Sequence, residues 1–225
     1  PSFNIINGGA HADSGIDCQE FMIQPISGKT FADKVRMAAE ITAALKSILA
    51  SKGLVTAVGD EGGFAPRLDT ESPIAGAIEL IEAAIEKAGY VPVKDVVIAL
   101  DVAASEFYDK ESGHYVMKGE KQDLPSGEYV DFIANLVEKY PIIKSIEDPL
   151  DQNDWDGYAA LTKRIGHKIT IVGDDFFVTN KERLAKGINI GACNAILIKL
   201  NQIGTLTETL ETIALAKNNN YKVMI

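Results

Sequence analysis

The sequence predicts an α/β fold of repeated βα units closing as a (β/α)8 barrel, on three observations. Four short apolar runs end in a charged residue: 96–100 before Asp101, 142–146 before Glu147, 169–172 shortly before Asp174, and 195–198 before Lys199. Helix-like stretches separate the later runs at about the 30-residue interval that a βα unit needs to return the chain parallel to itself. Val96 to Leu100 is too continuously apolar for a half-exposed strand, which favours a parallel sheet covered on both faces. The alternative, an open doubly wound sheet, would need a GxGxxG or a P-loop after an early strand to look functional, and neither occurs.

Each element has its own local justification. Phe3 to Ile6 reads as a first strand closed by Asn7-Gly8-Gly9, and a loop holding His11 follows. Phe21 to Ile23 reads as a second strand with Glu20 at its start; its direction is not legible. Thr30 and Asp33 form a capping-box pattern ahead of a helix whose inward stripe is expected at Phe31, Val35, Ala38, Leu45, Ile48 and Leu49. Ser72-Pro73 supplies a cap and an N1 proline for a second helix ending at Gly89. Between the two helices lies a glycine-rich loop, Gly59 to Pro66, of a kind that often surrounds a ligand. Residues 107–117 read as a small excursion turning at 109–113, and Ser126 to Tyr140 as a helix stopped by Pro141. The pattern then becomes regular: strand 142–146, helix 155–164, strand 169–172, helix 180–186, strand 195–198, helix 205–217, strand 222–225.

Composition narrows the function. The 225 residues are 46% hydrophobic and 24% charged, with no low-complexity segment or linker, so residues 1–225 read as one domain. A net charge of −10 argues against nucleic acid or an anionic membrane as partner. No apolar run approaches a membrane span, and no signal segment is evident. Cys18 and Cys193 read as two reduced, buried thiols. The apolar finish at Val223-Met224-Ile225 and the start at Pro1 suggest a chain cut at both ends.

Strands returning in parallel would bring Asp101, Glu147 and Asp174 to one rim. Three carboxylates there would repel one another unless a hard cation joined them, and three oxygen ligands favour magnesium over zinc. Asp148 and Asp175 are adjacent spares. Lys199, at the end of a buried run and near such a cation, should have its pKa lowered into the range of a usable base. Glu61 could donate a proton from its loop, and His11 is a candidate polar contact. His114 and His167 lie in turn-like stretches and receive no role. Each residue also has a plain structural reading, as a helix cap or an ion-pair partner.

Longer stretches carry a resemblance. Residues 4–12, Gln19-Glu20-Phe21-Met22, 60–66, 99–103, 105–108, Ser145 to Pro149, Gly173-Asp174-Asp175 and Ile198 to Gly204 closely resemble the enolase family, and the likeness runs along essentially the whole chain. The resemblance implies the C-terminal catalytic barrel, with the family's ββαα(βα)6 order, lacking its last strand and helix and the preceding N-terminal domain. It implies reversible, magnesium-dependent dehydration of 2-phospho-D-glycerate to phosphoenolpyruvate in glycolysis and gluconeogenesis, through an enediolate of the kind that superfamily stabilises with metal. Asp101, Glu147 and Asp174 would be the high-affinity magnesium ligands, with a second site completed by substrate and by residues outside this chain. Lys199 would take the C2 proton and Glu61 would assist loss of the C3 hydroxyl, with Glu20 beside it. His11 would sit on a mobile loop closing over substrate, and Gln19 would contact the substrate. A cytoplasmic homodimer or higher oligomer, with a possible secondary presence at the cell surface, is also implied. The isolated stretch is expected to be inactive and poorly folded. Two other readings remain: an inert binding or surface protein, and a related metal-dependent racemase or cycloisomerase.

Overall fold

The computed structural model describes residues 1–225. In chain order the elements are β1 (Phe3–Asn7), β2 (Glu20–Pro25), α1 (Phe31–Ser51), α2 (Pro73–Lys87), β3 (Val96–Asp101), β4 (Tyr108–Asp109), β5 (His114–Met117), β6 (Gln122–Pro125), α3 (Ser126–Lys139), β7 (Ile143–Glu147), α4 (Trp155–Ile165), β8 (Thr170–Gly173), α5 (Lys181–Ile190), β9 (Ala195–Leu197), α6 (Leu200–Ile203), α7 (Leu206–Asn218) and β10 (Lys222–Met224). This is the ββαα order followed by strand–helix alternation, interrupted by the short strands β4 to β6 and by the consecutive helices α6 and α7. The chain divides into two compact units: residues 1–102 with 116–123 and 138–144, and residues 103–115 with 124–137 and 145–225.

In the first unit, β2 runs antiparallel to both β1 and β3. The expectation drawn from β3's apolarity is half met: all six of its residues are buried, but its β2 neighbour is antiparallel. Burial on both faces reports only what covers a strand; it is silent on the direction of the next one. On β2 and β3 the register sets Glu20 opposite Asp101 and Phe21 opposite Leu100, so one face of the pair is charged at its end and the other apolar.

Helices α1 and α2 close the unit. Thr30 Oγ1 accepts the Asp33 N–H while Asp33 takes the Thr30 N–H, completing the capping box. Ser72 caps α2 by accepting from Ala75 N–H, with Pro73 at N1. The buried stripe of α1 is Met37, Ala38, Ile41, Leu45 and Leu49, an i, i+4 ladder. Phe31 and Val35 are 68% and 40% exposed, which corrects the stripe drawn from sequence: the capped first turns of α1 bury nothing.

In the second unit β7, β8, β9 and β10 are successive neighbours, with β7–β8, β8–β9 and β9–β10 parallel. Between them α4, α5 and α7 start on side-chain caps from Asp154, Asn180 and Thr205. Tyr158 of α4 and Phe176, which follows β8, stack at 3.7 Å between centroids, and Phe177 adjoins Phe176 at 4.7 Å. The excursion is a small three-stranded sheet, β4-β5-β6, whose third strand the sequence did not announce. The single turn α6, directly after Lys199, was also unannounced. Cys18 and Cys193 are buried free thiols, as expected.

Candidate functional site

The first unit assembles its candidate residues around the end of β1 and the start of β2. Asn7, fully buried, donates from Nδ2 to the Gln19 carbonyl and accepts the Gly63 N–H at 2.9 Å. It therefore ties the glycine-rich loop that carries Glu61 to the approach to Glu20. That loop lies against β1 through Phe64, whose N–H donates to the Ile5 carbonyl and whose carbonyl accepts from Asn7 N–H. Gly63 permits the close approach, because a Cβ there would stand 2.7 Å from Asn7 Oδ1 and 2.9 Å from the Ile6 backbone.

His11 closes a short 3-10 turn, and its carbonyl accepts the Asp60 N–H. Its Nδ1 stands 3.2 Å from Glu20 Oε1, off the line of a good hydrogen bond. His11, Glu20 and exposed Glu61 offer ligand atoms that all lie within 4.8 Å of one another. The sequence named these three for catalysis, not for metal; two carboxylates and an imidazole make them a candidate cation cluster as well. Gln19 Nε2 donates to Asp101 Oδ2 at 3.1 Å, so the residue expected to contact substrate also touches a predicted metal ligand. Asp101 is 8% exposed.

The second unit gathers its residues at the C-terminal ends of parallel strands, where barrel enzymes carry their chemistry. Glu147 ends β7 and Asp174 follows β8; they are 8% and 7% exposed. Asp148, one residue on from Glu147, has φ of 38°, which turns the chain so that the pair do not share one direction. Its carboxylate accepts the Asp174 N–H at 2.9 Å, the Asp175 N–H at 2.7 Å and the Tyr158 hydroxyl at 3.2 Å. Asp148, Asp174 and Asp175 also lie within 4.8 Å of one another, but Asp148 is occupied in holding the β8 strand end. It positions Asp174; sequence left it as a spare.

Lys199 follows β9 and its Nζ donates to Asp174 Oδ2 at 2.5 Å. Its own N–H donates to Thr179 Oγ1 at 2.8 Å, and Thr179 sits in an unusual left-handed pair with Val178. Gln202, on α6, donates to Asp174 Oδ1 at 2.9 Å and to Asp175 Oδ1 at 3.3 Å. Thr179 and Gln202 are contributors that sequence reasoning missed. The one available signal was the series Lys199-Leu200-Asn201-Gln202, in which a single helical turn brings Gln202 back beside Lys199.

Burial disfavours the Lys199 ammonium, but the bond to Asp174 and the charges of Asp174, Glu147 and Asp175 outweigh it, so the lysine pKa stands above its ordinary value. The fall expected from sequence assumed a divalent cation neutralising those carboxylates. Burial and the Asp174 charge raise the Asp175 pKa, against Lys199 and Gln202.

As a test of fit for magnesium, the donor chemistry is suitable. Glu147 and Asp174 are buried carboxylates at the ends of adjacent parallel strands, and Asp101 is a buried carboxylate at the end of β3. Buried carboxylates are paired, hydrogen-bonded or coordinate a metal, and carboxylate oxygens suit a hard cation. The family model for the enolase C-terminal TIM barrel domain matches residues 1–225, and the chain belongs to that family.

Proposed function

We propose that this chain carries the proton-abstracting machinery of the reversible dehydration of 2-phospho-D-glycerate to phosphoenolpyruvate. The observation that supports it most is Lys199 Nζ against Asp174 Oδ2 at 2.5 Å, a base candidate in contact with a buried candidate metal ligand at the catalytic ends of parallel strands. As the resemblance implies, Asp101, Glu147 and Asp174 are each assigned as magnesium ligands. A cation held there would compensate the charge that builds on the substrate carboxylate as its neighbouring carbon loses a proton.

The protein's own groups do the rest. Lys199 must arrive at the reaction neutral, and every carboxylate oxygen withdrawn from it toward a cation removes one cause of its raised pKa. Thr179 and Gln202 keep the lysine and Asp174 in place while that exchange occurs. Glu61 gives the proton that leaves with the C3 hydroxyl, and Glu20, opposite Asp101 in register, steadies it. His11 and Gln19 contact substrate as the loop between them settles. On this reading, which follows the family resemblance, the protein works in the cytoplasm as a homodimer or higher oligomer.

The test is the appearance of phosphoenolpyruvate absorbance from 2-phosphoglycerate by the full protein with magnesium. Turnover that disappears on chelation and in Asp174→Asn is expected. A folded, magnesium-loaded protein without turnover would refute the assignment of substrate.

A further inference from the structure

The loop between His11 and Gln19 is held from outside the catalytic residues. Its ends are closed by Gly8 N–H to the Gln19 carbonyl at 2.9 Å and Gly9 N–H to the Ile16 carbonyl at 2.7 Å. Ile16 and Cys18 are 2% and 1% exposed, so the loop has two buried apolar anchors. Next to it, Asp17 presents both carboxylate oxygens to a distant segment: Oδ1 accepts the Gly119 N–H at 3.1 Å and Oδ2 the Glu120 N–H at 2.8 Å. Two consecutive backbone donors on one carboxylate form a bidentate, charge-assisted clamp. The approach is so close that a Cβ on Gly119 would run into the Gly15 carbonyl.

The clamped turn is itself tied down. Glu120 is 6% exposed, and its Oε1 accepts the Ile74 N–H at 2.8 Å in the first turn of α2. A carboxylate there satisfies a donor that the helix cannot use, at the positive end of its dipole. A continuous path therefore runs from the packed helix α2 through Glu120 and Asp17 to Ile16 and Gly9, and Gly9 begins the turn that ends at His11.

We propose that Asp17 is a positioning residue, clamping the loop to the Gly119–Glu120 turn so that His11 is held in register with Glu20. The inference rests on the proposed reaction for its kinetic consequence only. Loss of the clamp frees the loop about Ile16, and a displacement of about 1 Å at a catalytic group can cost around 100-fold in rate.

The experiment compares the full protein with Asp17→Ala, Asp17→Asn and Gly119→Ala. Each variant should lower kcat about 10- to 100-fold with magnesium affinity unchanged. Asn keeps one acceptor but turns a donor toward the second N–H, so it should lie between Ala and the parent. In a His11→Ala background Asp17→Ala should cost less than about twofold more, because residues acting through one another are not additive. An equal fall in both backgrounds would show a merely structural role and overturn the proposal; an undiminished kcat would do so too. Hydrogen exchange keeps the two readings separable. Asp17→Asn should speed exchange of the Gly9 amide, which Ile16 holds, and leave the β2 amides unchanged. That result with no turnover in the parent would sink the proposed reaction and leave the clamp standing, whereas a Gly9 amide unmoved by Asp17→Asn would sink the clamp.

Discussion

Asp148 shows how little a residue's type says about its use. It is adjacent to a predicted metal ligand and carries the same functional group, yet its oxygens are taken by two N–H groups and a phenol. Asp148→Asn should place an amide N–H against a backbone N–H and cost about 1–3 kcal/mol of stability. Magnesium affinity should fall about 10- to 100-fold, as when a partner that orients a metal ligand is lost; calorimetric titration with magnesium and chemical denaturation measure the two effects. Glu120 supplies a pH test. Burial raises its pKa, against the Ile74 N–H and the Ser72 hydroxyl that lower it. A raised folded-state value means that the proton is held more tightly in the folded chain. Its contribution is fully present below the ordinary value of 4.5 and is lost as pH rises through the folded value. Denaturant midpoints taken from pH 4 upward should therefore decline more in the parent than in Glu120→Gln, and parallel curves would contradict the assignment.

At the scale of elements, much was legible where a local rule settles the outcome. Thr30 with Asp33, Ser72-Pro73 and the stop at Pro141 fixed helix ends because caps and proline act on the neighbouring backbone. The later strands fell within a residue or two of expectation, since short apolar runs between capped helices have few other uses. What failed depended on contacts distant in sequence. The inward face of α1 is decided by what α2 and the sheet present to it, so Met37 and Ile41 lie inside and Phe31 outside. The third strand of the excursion, β6, is polar and exposed at its start, leaving nothing for a hydrophobic pattern to mark. That sheet is anchored by Tyr115, fully buried, which stacks on Tyr129 at 4.1 Å between centroids. Its hydroxyl donates to Asp154 Oδ2 at 2.8 Å and accepts the Asp151 N–H at 2.9 Å. Tyr115→Phe keeps the ring and strands both partners, so thermal or urea unfolding should report a loss of about 1–3 kcal/mol.

At the scale of the whole molecule, the site residues were legible as strand-end charges, but their partners were not. The position of Lys199 after an apolar run is a sequence property; its contact with Asp174, the Thr179 hydroxyl beneath its backbone and the raised pKa that follows are properties of the fold. The central claim is that Lys199 removes the C2 proton and Glu61 acts afterwards, and isotope exchange separates those steps. The full protein, with magnesium, should wash deuterium from C2 of 2-phosphoglycerate, followed by proton magnetic resonance. Lys199→Ala should abolish that exchange while still binding magnesium. Glu61→Gln should retain exchange while forming phosphoenolpyruvate about 100-fold or more slowly. Exchange at the parental rate in Lys199→Ala would place the base elsewhere and contradict the account.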